Sequence, residues 1–413
     1  GMCAKLKKSM YGTRDAAQNW GHAYTQFMQD SGFRRGQASP CVFWNPEKNL
    51  RCVVHGDDFT VLGRKHDLDW FWKAISAKFE SKHRGRIGPE PNDLKAIRIL
   101  NRLVSWTAEG IQYEADQRHV EICLREVGLD ESSKPISTPI DRSSKDPRCR
   151  NAMENSTTND EKLNSSATTK YRGIVARMNY LGQDRPEIQF AVKELGKEMS
   201  SPTQASWTRM KRLLRYLKGV PRAILKFDYQ PKPKSLVTWT DSDFAGCEKS
   251  RKSTSAGVIQ YGNHLIKSWS TNQAVIALSS GESEYYALVK AGSQSLGMLA
   301  IAGDMGIEFE RPIELNSDAS AAIGISNRIG SGKVRHIEVT QLWLQDKVSQ
   351  KVFTINKVGT DDNLADALTK GVDAAAIQKH LEGVRVELRC DRHQLAPTLE
   401  AKSDGAEYKL EDE

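Results

Sequence analysis

Long hydrophobic runs are missing from this 413-residue sequence. None of its apolar stretches reaches the roughly 20 residues that an α-helix needs to cross a bilayer. The first eight residues, Gly-Met-Cys-Ala-Lys-Leu-Lys-Lys, also lack the apolar core of a secretory signal peptide. These absences predict an intracellular protein, cytoplasmic or nuclear, without a membrane partner.

Cysteine is scarce and scattered: the chain has seven, and none forms a Cys-x-x-Cys pair. Disulfide frameworks and structural zinc sites normally need closely spaced or evenly paired cysteines, so we predict reduced thiols. The charge imbalance is modest, with 60 Lys and Arg against 52 Asp and Glu and a net charge of +8. Such an excess is compatible with a nucleic-acid partner, although many other globular proteins share it.

The length predicts two or three domains, and composition indicates where they are separated. Residues 141–170 are rich in Ser, Thr, Asn and charged side chains and almost free of apolar ones, which predicts a flexible linker. Residues 389–413 end in a strongly acidic stretch, which predicts a disordered tail.

Four acidic residues follow strand-like or helix-starting patterns. Asp241 ends an alternating, strand-like stretch at 237–246, and Asp318 closes a second one that begins at Ile313. Glu282 falls in the first turn of a helix that serines can cap, and Asp366 lies early in a helix predicted for 363–370. Oxygen ligands in this arrangement suit Mg²⁺, with Mn²⁺ as a substitute, although single acidic residues usually belong to a solvated surface.

Five motifs around these residues carry a family resemblance. They are Thr240-Asp-Ser-Asp-Phe-Ala-Gly246, Arg251-Lys-Ser-Thr-Ser-Ala-Gly257, Lys267-Ser-Trp-Ser270, Leu278-Ser-Ser-Gly-Glu-Ser-Glu-Tyr285 and Asn363-Leu-Ala-Asp-Ala-Leu-Thr-Lys370. Together they resemble the ribonuclease H domain of copia-type LTR retrotransposon Pol polyproteins. The resemblance implies an α/β (α+β) fold with a mixed sheet flanked by helices, in which Asp241, Glu282, Asp318 and Asp366 hold two Mg²⁺ ions. It also implies hydrolysis of the RNA strand of RNA/DNA hybrids.

A second pair of carboxylates, Asp57 and Asp58, follows Gly56 between two short apolar runs. This pattern predicts a β-hairpin with paired acids at its turn, and ordinary turn residues would look the same. Residues 6–20 and the hairpin resemble the reverse transcriptase of the same polyproteins. The resemblance implies that Asp57 and Asp58 bind Mg²⁺ on a template–primer, although His55 and Gly56 replace an aromatic and an aliphatic residue of the family.

The polymerase resemblance is incomplete, because the family's third metal-binding aspartate precedes the part matched here. We therefore expect no DNA synthesis by this chain alone. The implied domains are a truncated reverse transcriptase palm and thumb (1–140), the linker (141–170), a helical connection (171–232) and a ribonuclease H-like domain (233–388). Two alternatives remain open: an inactive transposon relic that only binds nucleic acid, and a partner that completes other Pol chains.

Basic residues indicate candidate nucleic-acid contacts. Residues 202–219 predict an amphipathic helix whose basic side, including Arg212 and Arg215, could contact a duplex backbone or simply be solvated. Arg251 and Lys252 could grip the phosphates of the hybrid or belong to an exposed turn. His336, in Arg335-His-Ile-Glu338, resembles a family motif, but a lone histidine is more often structural, so we leave it outside the catalytic set.

Overall fold

The computed structural model describes residues 9–10, 12–141, 161–332, 334–396 and 399. Most of the predicted linker and acidic tail lies outside these residues. The described residues divide into two compact units: one runs up to Gly85 and includes Ser293–Glu310, and the other contains Arg86–Gly292 and the chain from Arg311 onward. Their helices and sheets confirm the predicted mixed α/β class. None of the described helices is both long and apolar enough to cross a membrane.

The first unit is a small antiparallel sheet covered by helices. Its elements are α1 (Ala16–Asp30), β1 (Arg34–Arg35), β2 (Val42–Asn45), β3 (Leu50–His55), β4 (Asp58–Leu62) and α2 (Lys65–Lys78), and the strand order is β1-β2-β3-β4. Strand β3 alternates so that Leu50, Cys52 and Val54 point into the core, where Phe43 and Phe71 join them. The predicted hairpin is confirmed.

The second unit begins with strands and continues as a helical bundle. Its first elements are β5 (Ala96–Ile99), β6 (Arg102–Trp106), β7 (Gly110–Glu114), α3 (Arg118–Glu126), α4 (Ser165–Leu181), α5 (Gln189–Gly196) and α6 (Gln204–Gly219). Helix α4 begins inside the range predicted as linker, because Asn164 accepts a hydrogen bond from the Ala167 amide and caps it. Helix α6 starts with a capping box between Thr203 and Ser206.

The rest of this unit contains strands separated by helices, and one of these helices continues from Ser293 onward as part of the first unit. The elements are β8 (Arg222–Asp228), β9 (Leu236–Ser242), β10 (Thr254–Tyr261), β11 (His264–Asn272), α7 (Ser280–Asp304), β12 (Ile313–Ser317), α8 (Ser320–Ser326), α9 (Trp343–Ser349), β13 (Phe353–Lys357), α10 (Ala374–Gly383) and β14 (Val386–Arg389). A mixed sheet has the order β11-β10-β9-β12-β13, and an antiparallel sheet has the order β14-β8-β7-β6-β5. The antiparallel sheet therefore combines strands from three of the predicted domains: β5, β6 and β7 from 1–140, β8 from 171–232, and β14 from the end of 233–388.

Strands β9 and β12 are parallel neighbours, with Leu315 opposite Thr238, so the strands that end at Asp241 and Asp318 lie side by side. The helix predicted for 363–370 is wrong, because a short 3₁₀ turn spans Asp366–Leu368 instead. Tertiary hydrogen bonds explain the difference: Asn363 donates to the Thr240 carbonyl, and the Thr369 hydroxyl donates to Asp241.

Candidate metal centre

Asp241 lies at the end of the central strand β9 and is almost fully buried, with 5% of its surface exposed. The Thr369 hydroxyl donates a hydrogen bond to its Oδ2 at 2.6 Å. The pKa of Asp241 is raised to about 6, chiefly by burial; the hydrogen bond from Thr369 lowers it, and the nearby carboxylates of Asp366 and Asp318 raise it. Strand and hydroxyl together hold this carboxylate in one orientation.

Asp318 directly follows β12, the parallel neighbour of β9. Parallel strands that lie side by side end at the same edge of a sheet, so Asp318 is brought towards Asp241. The Thr360 hydroxyl donates to Oδ2 of Asp318 at 2.7 Å. Two carboxylates therefore meet at one end of the mixed sheet, each oriented by a threonine.

Glu284, in the first turns of α7, completes a group of three. One oxygen each of Asp241, Glu284 and Asp318 lies within 4.8 Å of the other two. Burial, followed by the charges of Asp241 and Asp318, raises the pKa of Glu284 to about 9. Its Oε1 accepts a hydrogen bond from the Ser242 amide at 3.3 Å, whereas Oε2 is buried and has no hydrogen-bond partner among the described residues.

Asp366 belongs to the same electrostatic cluster. Its charge contributes to raising the pKa of both Asp241 and Glu284. Lys370, four residues later, donates to Oδ1 of Asp366 at 2.6 Å. The pKa of Lys370 is raised, because its hydrogen bond and the surrounding carboxylates outweigh the lowering effect of burial.

Glu282, which the sequence assigned to this cluster, is engaged elsewhere. Its Oε2 accepts hydrogen bonds from His336 Nε2 at 2.7 Å and from the Leu278 amide at 2.9 Å, and its Oε1 accepts from the Tyr286 hydroxyl at 2.9 Å. Each helical residue turns by about 100°, so side chains two positions apart point to nearly opposite sides. The structure therefore brings Glu284, and not Glu282, to Asp241 and Asp318.

A signal for Glu284 was present in the sequence. Residues four and seven positions after Glu284 are Leu288 and Ala291, both fully buried, so Glu284 shares the core-facing side of α7. The same spacing from Glu282 reaches Tyr286, which is partly buried, and Val289, which is buried. Helical periodicity in the motif Gly-Glu-Ser-Glu therefore favours its second glutamate only weakly as the one that faces the sheet.

Asp57 and Asp58 lie at the hairpin turn between β3 and β4. His55 pairs with Asp58, so Gly56 and Asp57 form a two-residue loop, and the φ of +61° at Gly56 suits glycine at its first position. Trp20 Nε1 donates to the Gly56 carbonyl at 2.8 Å and fixes the turn. Within the described part of the chain, no third acidic, histidine or cysteine side chain completes a metal-binding group with these two aspartates.

The predicted basic contacts have different surroundings. Arg212 bonds Thr138 at 2.9 Å and Asp141 at 2.8 Å, and Arg215 donates to the Lys134 carbonyl at 2.7 Å. Both guanidinium groups thus hold the segment 134–141 against α6. Arg251 is exposed, and Lys252 is partly exposed, on the loop between β9 and β10, which leaves β9 just after Asp241.

Comparison with known proteins gives long but distant matches. No protein-family model matches the sequence. The chain is 26% identical over 379 residues, 90% of its length, to the retrovirus-related Pol polyprotein from transposon TNT 1-94 of Nicotiana tabacum. It is also 26% identical over 382 residues to that from transposon RE2 of Arabidopsis thaliana. The matches cover 27% and 24% of these polyproteins, so the chain spans about a quarter of their length.

A shorter relative is matched almost completely. Over 251 residues the chain is 35% identical to an uncharacterized mitochondrial protein of Arabidopsis thaliana, covering 59% of this chain and 91% of that protein. Fold and site define a mixed α/β protein with a buried carboxylate cluster that could bind a metal ion. With these relatives, the chain belongs to the retrovirus-related Pol polyproteins of copia-type transposons.

Proposed function

We propose that this Pol fragment hydrolyses the RNA strand of RNA/DNA hybrids at the cluster of Asp241, Glu284, Asp318 and Asp366. The observation that carries the proposal is the group of three carboxylate oxygens within 4.8 Å of one another, supplied by two neighbouring strands and a helix. Crowding and burial raise the pKa values of Asp241 and Glu284, and a bound divalent cation would favour their ionised forms. The resemblance to copia-type ribonuclease H domains supplies the substrate class.

The chemistry of the donor set fits Mg²⁺ or Mn²⁺. All the side chains are carboxylates, which hard divalent cations prefer. The buried Oε2 of Glu284 has no hydrogen-bond partner among the described residues and is therefore available as a ligand. A bound divalent cation supplies activation of the attacking water and stabilisation of the leaving oxygen.

The protein's own residues prepare that chemistry. Thr369 and Thr360 fix the carboxylates of Asp241 and Asp318, so that their oxygens converge without rearrangement. The carboxylates repel a phosphodiester unless their charge is neutralised, which makes cleavage dependent on a divalent cation. Arg251 and Lys252, exposed on the loop after β9, are suited to bind the phosphates of the hybrid.

We infer that the hairpin carrying Asp57 and Asp58 does not extend a primer by itself. Asp57 is exposed, and the described residues supply no third ligand to the pair. Two carboxylates alone hold a divalent cation weakly and give little stabilisation to the charge of the transition state. Mixing the chain with other Pol chains tests whether primer extension appears only in the mixture.

A cleavage assay tests the main proposal. The full chain is incubated with an RNA/DNA hybrid labelled on the RNA strand, in Mg²⁺ and separately in Mn²⁺, beside the Asp241→Asn variant. We expect RNA cleavage by the unmodified chain and none by the variant, with both proteins folded. Binding of the hybrid without cleavage in either metal would overturn the proposal and favour the inactive relic.

A further inference from the structure

The buried carboxylate of Glu282 holds the exposed His336 in a fixed position. Glu282 is 1% exposed, and its two oxygens receive three hydrogen bonds, one of them from His336 Nε2. The His336 side chain is 42% exposed. The next residue, Ile337, is buried and anchors the backbone of this segment.

The direction of the hydrogen bond defines what His336 offers to solvent. Because a carboxylate can only accept, Nε2 of His336 carries the proton that Glu282 receives. The other nitrogen, Nδ1, has no hydrogen-bond partner among the described residues. It accepts a hydrogen bond when the ring is neutral and donates one when the ring is charged.

We propose that His336, oriented by Glu282, binds a 2′-hydroxyl of the RNA strand and contributes to the choice of RNA/DNA hybrid over DNA duplex. This inference rests on the proposed function. A 2′-hydroxyl both donates and accepts, so it pairs with Nδ1 in either protonation state of the ring. A phosphate oxygen only accepts and would pair with the charged form alone. The 2′-hydroxyl is also the group that distinguishes RNA from DNA.

Glu282 and Glu284 are two residues apart at the start of α7 and point to nearly opposite sides of it, so His336 would contact the hybrid beside the carboxylate cluster rather than at it. His336 is therefore tied to the same short stretch of helix that carries a candidate metal ligand. Glu282 is a positioning residue in this account, because it acts on the nucleic acid only through His336.

Equilibrium binding separates this inference from the cleavage proposal. Affinity is measured by fluorescence anisotropy for a hybrid and for a DNA duplex of the same sequence, in the uncleaving Asp241→Asn background. His336→Ala should weaken binding to the hybrid about threefold to tenfold, the value of one hydrogen bond, and leave binding to the duplex unchanged. Glu282→Gln should have a smaller effect in the same direction, and the neighbouring exposed Arg335→Ala should not alter the preference for hybrid.

A scan of single 2′-deoxy substitutions along the RNA strand identifies the contact. At one position, a 2′-deoxy substitution should weaken binding to the Asp241→Asn protein. The same substitution should not change binding to the protein that also carries His336→Ala. His336→Asn is the second variant if His336→Ala does not fold. An unchanged preference for hybrid, or a lower salt dependence that indicates a phosphate contact instead, would overturn the inference while cleavage persists. Absence of both binding and cleavage by the unmodified chain would overturn the proposed function as well.

Discussion

The ammonium of Lys370 lies 2.6 Å from Oδ1 of Asp366, four residues earlier in the chain. The charges of Asp366, Asp241 and Asp318 all raise the pKa of Lys370, so the ammonium is a positive charge facing the carboxylate cluster. A divalent cation that binds Asp366 has to compete with this ammonium. Lys370 is therefore expected to raise the metal concentration at which the cluster becomes occupied.

Replacing Lys370 with methionine should strengthen metal binding. The variant keeps most of the side-chain volume but removes the competing charge, so we expect the Mn²⁺ dissociation constant to fall several-fold. Isothermal titration calorimetry measures it without substrate. Lys379→Met is the matched control, because Lys379 pairs with Asp362, which lies outside the group of Asp241, Glu284 and Asp318. Equal or weaker binding by Lys370→Met would contradict this account.

The two glutamates at the start of α7 should differ sharply in their effect on metal binding. Glu284→Gln removes a carboxylate from the group of three and should reduce Mn²⁺ affinity at least about tenfold. Glu282→Gln keeps the volume and polarity of a side chain that contacts His336, Tyr286 and the Leu278 amide. We expect it to bind Mn²⁺ nearly as well as the unmodified chain, and the same calorimetric titration compares both variants. The reverse ranking would restore Glu282 as the ligand.

Local patterns in the sequence predicted the strands but not every side chain of the site. Strands β9 and β12 alternate apolar and polar residues, and this period of two identifies half-buried strands without knowledge of the rest of the fold. The choice between Glu282 and Glu284 depends on which side of α7 faces the sheet. That orientation is set by tertiary packing and is only weakly indicated by the periodicity of the helix.

Contacts between distant segments explain the remaining differences. Nothing near Arg212 and Arg215 in the sequence indicates that residues 134–141, more than 70 positions earlier, occupy their guanidinium groups. The 3₁₀ turn at Asp366 likewise depends on the hydrogen bond from Thr369 to Asp241, which is 128 positions away. Local sequence can predict a basic helix face or a helix-forming segment. It cannot predict the hydrogen bonds from distant segments that change the role or the conformation of these residues.

The raised pKa values predict that the metal-free protein loses stability as pH rises. Asp241 and Glu284 have folded-state pKa values of about 6 and about 9, against ordinary values of 3.8 and 4.5. A carboxyl group with a raised pKa holds its proton more tightly in the folded state than in the unfolded state. Its contribution to the free energy of unfolding is therefore complete below about pH 4 and is lost as pH rises through the folded-state pKa. The free energy of unfolding in EDTA should therefore fall between about pH 5 and 9.

Metal binding should show the opposite dependence on pH. Binding requires ionised carboxylates and releases their protons, so the increase in melting temperature caused by Mn²⁺ should grow from pH 6 to pH 8. Thermal unfolding with and without metal measures both effects on the same samples. In Glu284→Gln, which has no titrating group at this position, the loss of stability above pH 7 should largely disappear. A pH-independent metal effect would contradict the assignment of these residues.

Basic residues on the loop after β9 and on α6 should respond differently to salt. Arg251→Ala and Lys252→Ala should each lower the slope of log affinity for hybrid against log salt by about one, because each removes a phosphate contact. Arg212→Ala should leave the slope unchanged and instead lower the free energy of unfolding, since Arg212 bonds Thr138 and Asp141. Anisotropy titrations at several salt concentrations and urea unfolding distinguish the two outcomes. A reduced slope for Arg212→Ala would show that it also contacts nucleic acid.

Gly257 of β10 should not tolerate even one additional methyl group. A Cβ at this position would lie 2.1 Å from Cζ2 of Trp269, its buried cross-strand partner, so the indole ring would have to shift. Gly257→Ala should therefore lower the free energy of unfolding by about 1–3 kcal/mol, the usual cost of overpacking. Gly173 of α4 is exposed, and a Cβ added there would have no neighbour within 4 Å beyond the adjacent residues and the helix's own backbone. Gly173→Ala should therefore raise the free energy of unfolding by about 0.5–1 kcal/mol. Urea unfolding of the two variants compares the same chemical change in both surroundings, and a destabilised Gly173→Ala would contradict this explanation.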